Sequence, residues 1–292
     1  MIKLQFQNFW GGFPVHDNIV TVALKMLDDV KIVDSDPDVT IFQGQGRSGN
    51  GGVAISWLVE SMNRIGEPNY NHCHYSLNSC FFDDDRNYRI PFWATQINWN
   101  KAKPLDLSRG PTYYIDPSEL LTRSHKINFY KRNICSMASS KLGRRLDFYP
   151  KISKAIPTVH AGDFLRNTNE VPQRPGNSDY FEKINFISGF LAHLCFENDN
   201  RAGYVCEKIL HSFYAGCIPI YWGPDASCDF NPEAYIHIDD FNCDYEAIEY
   251  IASILGDPEK ITQYLTAPIF KNNKFPYHAT PDSLAKFFEG IL

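Results

Sequence analysis

The sequence contains no run of apolar residues that approaches the roughly 20 needed to cross a membrane. A secretory leader is also not expected, because residues 1–6 alternate between apolar and polar side chains, which is typical of a β-strand. These two absences predict a cytoplasmic protein without a transmembrane segment.

Positive charge is not in excess. The chain has 28 Lys and Arg residues against 34 Asp and Glu residues, which gives a formal net charge of −6 at pH 7. Nucleic acids and anionic membranes favour basic surfaces, so neither is expected as a general partner. A ligand that carries phosphate would have to be bound by a local group of cations.

The chain has eight cysteines, but none of them form a Cys-x-x-Cys pair, the spacing that is typical of a zinc site. Cys195, Cys206, Cys217 and Cys228 recur at intervals of 11 residues. The elements that we predict around them place these residues on a strand, a helix, another strand and a loop, where they could not share one ion. We therefore predict free thiols and no metal site.

Length and composition are those of a globular protein with two domains, since the chain has 292 residues, of which 43% are hydrophobic and 21% charged. The first part alternates strand-like and helical patterns, which favours a parallel α/β sheet. The strand-like segments are 2–6, 31–34 and 39–43, and the helical segment is 17–28. Because residues 112–131 are polar, we expect a boundary there and domains at 1–125 and 126–292.

Residues 195–223 read as a polar loop, an amphipathic helix that opens at Gly203, and a short apolar strand. Val205, Ile209 and Phe213 recur at four-residue spacing and form a stripe that should pack on a sheet. This order of elements is typical of half of a nucleotide-binding α/β unit.

The opposite face of this helix carries Tyr204, Glu207, Lys208 and His211. The first turn of a helix attracts anions, because its backbone N–H groups are unpaired and the helix dipole is positive there. A lysine at that end could neutralise a phosphate, a glutamate could bind a ribose diol, and a tyrosine could cover a base. The pattern favours a nucleoside diphosphate site, and a solvated helix face with a Glu–Lys pair is the alternative.

The whole segment resembles the donor-binding signature of the α-1,3-fucosyltransferases, glycosyltransferase family 10. The matching residues are Phe196-Glu197-Asn198, Gly203-Tyr204-Val205, Glu207-Lys208-Ile209, Ala215-Gly216, Ile218-Pro219-Ile220-Tyr221-Trp222-Gly223 and Asp229-Phe230-Asn231-Pro232. The resemblance implies two Rossmann-like domains in a GT-B fold. It also implies transfer of L-fucose from GDP-fucose to a hydroxyl of an N-acetylglucosamine-containing glycan, with inversion and without a metal or another cofactor.

The resemblance also suggests a general base. Gly66-Glu67-Pro68-Asn69 is similar to the family's Gly-Glu-Asn segment, whose glutamate takes that role. The chemistry agrees, since a carboxylate must accept the proton of the attacking hydroxyl. In the family an aromatic strand usually precedes this glutamate, whereas residues 62–65 here are Met-Asn-Arg-Ile.

In the second domain, residues 133–138 are predicted to form a strand that leads through small polar residues into a helix. In the family, the arginine that binds the diphosphate lies three residues before a phenylalanine. Counting back from Phe148 in this sequence selects Arg145. Arg144 stays open as the alternative. A guanidinium suits this task because it is always charged and can bind two oxygens.

The remaining site residues follow from the resemblance. Glu197 and Asn198 are expected at the donor, with Asn198 and Tyr204 near the base, Glu207 at the ribose and Lys208 at the diphosphate. Trp10 is a candidate platform for the acceptor sugar, with a buried anchor as the equal alternative.

Two other functions are compatible with the sequence. Gly44, Gly46 and Gly49 fit a dinucleotide-binding pattern after a strand-like run, with Glu67 near the place of the ribose acid, so a NAD(P)-linked enzyme is one alternative. A catalytically silent nucleotide-sugar binder is the other. The run Asp83–Asp85 is interpreted as a solvated, partly paired turn beside Arg86. Neither the acceptor glycan nor the oligomeric state follows from the sequence.

Overall fold

The computed structural model describes residues 1–44, 51–58, 66–100, 115–123, 127–170 and 180–292. Gly46 and Gly49 of the dinucleotide-binding pattern lie outside the described residues, as do residues 62–65 before Glu67. None of the described helices is both long and apolar enough to span a membrane.

The first domain is built on a six-stranded sheet in which every strand is parallel to its neighbours, in the order β2-β1-β3-β4-β5-β6. The strands are β1 (Ile2–Gln7), β2 (Val30–Ile32), β3 (Val39–Phe42), β4 (Val53–Leu58), β5 (Tyr75–Asn78) and β6 (Asn87–Arg89). The β-branched run of β3 is buried throughout, as expected of a strand covered on both faces. Helix α1 (Ile19–Lys25) begins at Asn18, whose side chain accepts a hydrogen bond from the Thr21 N–H.

The second domain has a five-stranded parallel sheet in the order β11-β10-β9-β7-β8. Its strands are β7 (Arg132–Ser136), β8 (Thr158–His160), β9 (Phe190–Phe196), β10 (Ile218–Trp222) and β11 (Ile236–His237). All seven residues of β9 are buried, and the strand lies at the centre of the sheet. Two parallel α/β sheets in one chain agree with the predicted fold class.

Seven further helices are described: α2 (Pro117–Thr122), α3 (Arg145–Ala155), α4 (Tyr180–Ser188), α5 (Glu207–Tyr214), α6 (Asp244–Leu255), α7 (Pro258–Thr266) and α8 (Pro281–Glu289). Short 3-10 turns lie at Phe92–Gln96, Pro232–Ala234, Ile238–Asp240, Lys271–Asn273 and Tyr277–Ala279. The helix expected to open at Gly203 begins at Glu207, because Gly203 is left-handed with a φ of 86° and Cys206 is extended. A turn at Ala202 and Gly203 and three irregular residues precede Glu207.

Helix α5 lies between the two domains. Its apolar stripe, including Ile209 and Phe213, shares one buried cluster with Trp93 of the first domain and with Phe230 and Phe270 of the second. We predicted packing on a sheet, and the stripe also packs on the turn at Phe92–Gln96. Helix α5 is therefore held by residues of both domains.

Helix α8 returns to the first domain, although the predicted division at 125/126 assigns the end of the chain to the second. It packs against α1, and the hydroxyl of Tyr88 on β6 donates a hydrogen bond to Ser283 at 2.7 Å. The ring of Phe287 lies 5.2 Å from that of Tyr88. The apolar face of α8 completes the core beside the first sheet.

A buried arginine joins the domains. Arg89 at the end of β6 binds both carboxylate oxygens of Asp229 at 2.9 and 2.6 Å, and its Nη2 donates to the Gly203 carbonyl at 2.7 Å. The Asp229 side chain is fully buried and also contacts His278 Nε2 at 2.7 Å. Burial alone would raise the pKa of Asp229, but Arg89 outweighs it and lowers that pKa to about 2.

Replacing Asp229 by Asn is expected to lower the free energy of unfolding by about 3–5 kcal/mol at pH 7, since it leaves the Arg89 charge buried and unpaired. The pKa of Asp229 is lower in the folded chain than the ordinary value of about 3.9, so the pair stabilises the fold above that pH. Its contribution is lost as the pH falls towards 2. Urea denaturation of both proteins at pH 7 and pH 3 measures the effect, and the difference should shrink at pH 3.

Asp84→Asn is the matched control, because the exposed Asp84 carboxylate binds Arg86 in the same two-pronged way at 2.9 and 2.6 Å. This pair confirms the interpretation of Asp83–Asp85 as a partly paired, solvated turn. A much smaller loss is expected from Asp84→Asn. Equal losses for the two variants would show that the buried contact does not hold the domains together.

Candidate active site

A cavity of about 260 Å³ opens at the carboxyl ends of β7 and β9, the edge at which open α/β sheets bind ligands. Five of the polar side chains that line it are those of Ser140, Arg145, Asn198, Glu207 and Lys208. Four of these were predicted as donor-binding residues from the sequence. The structure therefore brings two cations, a carboxylate and an amide to one site.

Arg145 is fixed inside this cavity. It lies in the first turn of α3, only 2% exposed, and donates to Ser140 Oγ at 2.5 Å, to the Phe196 carbonyl at 2.5 Å and to Asn198 Oδ1 at 2.8 Å. Its Nε has no hydrogen-bond partner. The guanidinium is thus held in place, and one N–H donor, itself buried, is left unsatisfied.

Arg144 faces another way. Its guanidinium binds Asp239 at 2.6 Å and also Asp244, and Asp244 contacts Lys151 at 2.5 Å as well. Arg144 therefore belongs to a surface network of opposite charges. Of the two arginines that the sequence left open, Arg145 is the one that lines the cavity.

Lys208 owes its position to Glu197. The Lys208 ammonium donates to Glu197 Oε2 at 2.7 Å, and the Cys206 N–H donates to Glu197 Oε1 at 2.7 Å. Burial would lower the pKa of Lys208, but Glu197 and Glu207 outweigh it and raise that pKa, so the amine is charged. The Glu197 side chain is fully buried behind Lys208. It supports the cation, so its expected role at the donor would act through Lys208.

Lys183 on α4 is a cavity residue that the sequence analysis missed. Its ammonium lies 3.4 Å from Glu207 Oε1. Burial raises the pKa of Glu207, but Lys208 and Lys183 outweigh it and lower that pKa to about 2. The sequence analysis assigned no element around residue 183, so this cation could not be placed at the sheet edge.

His193 on β9 also lines the cavity. Its Nδ1 lies 2.7 Å from Ser212 Oγ, and because that hydroxyl donates to the Lys208 carbonyl, Nδ1 must be the protonated nitrogen. Burial lowers the pKa of His193 to about 3, so the ring is neutral. Its buried Nε2 has no partner and is a hydrogen-bond acceptor.

Glu67 meets the second domain through an arginine. Its Oε1 lies 2.6 Å from Nη2 of Arg201, which belongs to the same β9–α5 loop as Asn198. The Glu67 side chain is 61% exposed. The structure thus places the candidate base of the first domain against the β9–α5 loop of the second, which we call the donor loop. The contact is made by Arg201, which the sequence analysis did not single out.

Tyr204 and Trp10 lie in packed surroundings. Tyr204 is 2% exposed and belongs to a buried cluster with Leu58 and Cys80 of the first domain, so its ring does not cover the cavity as expected. Trp10 is half-buried and lies 5.0 Å from the ring of Phe13, edge to face. Tyr204 therefore joins the domains, and Trp10 leaves part of its ring exposed.

Metal ligands do not gather at the cavity among the described residues. The group whose ligand atoms are close enough to share an ion is Cys228, Asp229 and His278, and both carboxylate oxygens of Asp229 already bind Arg89. The eight cysteines are all free, as predicted.

This architecture, two parallel α/β sheets with a polar cavity at the carboxyl edge of the second, is that of the GT-B fold. Residues 127–268 match the family described as glycosyltransferase family 10 (fucosyltransferase), C-terminal domain. The matched range contains residues 196–232, so this comparison confirms the resemblance drawn from them.

Relatives and solved structures agree. The chain is 31% identical over 205 residues, 63% of its length, to an α-(1,3)-fucosyltransferase of Helicobacter pylori, of which it covers 41%. It is 27% identical over 118 residues, 38% of its length, to 4-galactosyl-N-acetylglucosaminide 3-α-L-fucosyltransferase 9 of Mus musculus, of which it covers 29%. The chain thus spans well under half the length of these curated relatives.

The fold matches crystal structures of α1,3-fucosyltransferase along nearly the whole chain. The structure with GDP gives a TM-score of 0.72 at 20% identity, covering 99% of this chain and 89% of the other. The structure with GDP-fucose gives 0.70 at 20% identity, covering 99% and 90%. At this identity the match shows the shared GT-B fold.

Proposed function

We propose that the protein is an inverting α-1,3-fucosyltransferase that moves L-fucose from GDP-fucose to a hydroxyl of an N-acetylglucosamine-containing glycan. The observation that carries this proposal is the convergence of Arg145 and Lys208 on one cavity, within a family 10 domain. Two fixed cations at the carboxyl edge of a parallel sheet suit a nucleoside diphosphate. A crystal structure of similar fold contains GDP-fucose, which supports the choice of donor.

The donor would lie with its diphosphate between Arg145 and Lys208. Glu207 is ionised beside Lys208 and could accept hydrogen bonds from the ribose. Asn198 already accepts from Arg145, and its amide N–H groups are suited to a phosphate or base oxygen. Because the cations come from the chain itself, binding and departure of GDP would need no metal ion.

Glu67 would act as general base. Its carboxylate takes the proton of the acceptor hydroxyl while that oxygen forms a bond to C1 of fucose. The bond between C1 and the phosphate oxygen breaks, and GDP leaves with the electron pair. Arg145 and Lys208 stabilise the negative charge that develops on the diphosphate. Attack on the face opposite the leaving group inverts C1.

One observation favours a second function, that of a silent nucleotide-sugar binder. The Glu67 carboxylate is engaged by Arg201 at 2.6 Å, and a base that stayed in this pair would not accept a proton. A transfer assay separates the two functions. With GDP-fucose, N-acetyllactosamine or lacto-N-biose, and EDTA, a transferase forms fucosylated product, whereas a silent binder binds GDP and forms none.

Arg145 and Arg144 form a matched pair of neighbouring arginines for a binding test. Arg145→Ala is expected to weaken GDP binding about 10- to 100-fold, as for the loss of a hydrogen bond to a charged group, while Arg144→Ala leaves it within twofold. Isothermal titration with GDP measures both, and circular dichroism checks that each variant is folded. An equal effect of the two substitutions would contradict the assignment of Arg145 to the diphosphate.

A further inference from the structure

Phe81 is an exposed aromatic residue at a contact between the two domains. It follows β5 by three residues, at the carboxyl edge of the first sheet, and 54% of its surface is exposed. Open α/β sheets bind ligands at the carboxyl ends of their strands, so an exposed aromatic ring at this edge is placed to contact one.

The backbone and ring of Phe81 are nevertheless held firmly. Its N–H donates to the Ala202 carbonyl at 3.0 Å, and the Arg89 guanidinium lies 4.6 Å from its ring centroid. Gly203 packs so closely that a Cβ added there would lie 2.8 Å from Phe81 Cδ2. The ring is therefore supported by Arg89 and Gly203, and its remaining surface is presented in a fixed orientation.

The surroundings of Phe81 indicate what could cover it. Ala202 follows Arg201, whose guanidinium binds Glu67 at 2.6 Å. An aromatic surface, the candidate base and the donor loop thus meet within a few residues of Ala202. A pyranose offers an apolar C–H face to an aromatic ring and hydroxyl groups at its rim, so it fits an aromatic ring next to a carboxylate.

We propose that the exposed surface of Phe81 is the platform for the acceptor sugar, placing the hydroxyl that reacts at Glu67. This inference rests on the proposed fucosyltransferase function. It locates the acceptor at the end of β5, whereas the sequence pointed to Trp10 at the end of β1. Phe81 is a positioning residue, and its rigid support limits the entropy lost when the sugar binds.

The test compares Phe81→Leu with Phe81→Trp. Leucine keeps an apolar side chain against Gly203 but removes the aromatic face, while tryptophan keeps that face. With N-acetyllactosamine as acceptor, Phe81→Leu should raise the acceptor KM about five- to tenfold, and Phe81→Trp should stay within about twofold of the unmodified protein. Tyr245→Leu, which changes an exposed aromatic residue on α6, is the control and should leave KM unchanged.

The KM for GDP-fucose and the rate of its hydrolysis without acceptor are measured for the same proteins. Unchanged donor values with a raised acceptor KM support the platform. An acceptor KM that is the same for all four proteins overturns it, and so does an equal rise of donor and acceptor KM, which would make Phe81 a support of the donor loop. Absence of transfer by the unmodified protein, measured first, would instead defeat the proposed function.

Discussion

Glu67→Gln is expected to reduce the rate of fucose transfer by about 10²- to 10⁴-fold, the range that loss of a general base produces. The amide keeps the size of the carboxylate and can still accept the hydrogen bond from Arg201, so the cleft should keep its geometry. It cannot take a proton. GDP affinity should therefore stay within twofold, and the measurement is a single-turnover transfer assay beside a GDP titration.

The matched control is Glu170→Gln. Glu170 is also an exposed carboxylate bound to an arginine, since it contacts Arg132 at 2.6 and 2.8 Å on the second domain. Its amide variant should transfer fucose at the normal rate. A normal rate in Glu67→Gln would exclude Glu67 as the base, and a loss of GDP affinity in that variant would show that it supports the donor site instead.

Removal of Lys208 is expected to weaken donor binding as strongly as removal of Arg145. Lys208→Met deletes the charge that would face the diphosphate, and GDP affinity should fall about 10- to 100-fold. The same change leaves the buried Glu197 without its cation, at a cost of about 3–5 kcal/mol in the free energy of unfolding. Weaker binding could then reflect a damaged fold.

A double variant separates these effects. Glu197→Gln together with Lys208→Met removes both charges and should recover most of the lost stability, while GDP affinity stays low. Lys151→Met, at an exposed lysine bound to Asp244, is the control for charge removal and should bind GDP normally. Normal GDP affinity in the double variant would exclude Lys208 from the diphosphate site.

Much of the donor side could be predicted because its signals are local. The spacing of Val205, Ile209 and Phe213 predicts a helix with a buried apolar stripe, and α5 carries Ile209 and Phe213 in the core. Arg145 follows from its spacing to Phe148, and the first turn of α3 does direct it into the cavity. Helix periodicity and short motifs depend on neighbours in sequence, so they can be recognised without knowledge of the fold.

The corrections concern contacts between distant segments. Arg201 reaches Glu67 across 134 positions of the chain, and α8 crosses back to α1. Glu197 is buried behind Lys208 because its two oxygens bind the Cys206 N–H and the lysine. Such pairings depend on how the two domains meet, which no periodicity in one segment encodes.

Tyr204 was misplaced because the start of helix α5 could not be located from the sequence. Helical spacing grouped it with Glu207 and Lys208, but the helix begins only at Glu207, because Gly203 takes a left-handed conformation. Tyr204 therefore leaves the polar face and packs against the first domain. A shift of one turn in the start of a helix is enough to bury a residue expected at a ligand.

A crystal structure with GDP tests the central claim most directly. We expect the diphosphate between the Arg145 guanidinium and the Lys208 ammonium, in the cavity at the ends of β7 and β9, in crystals grown with EDTA. Density for GDP at another place, or a bound GDP whose phosphates contact neither side chain, would contradict the proposed donor site and the mechanism built on it.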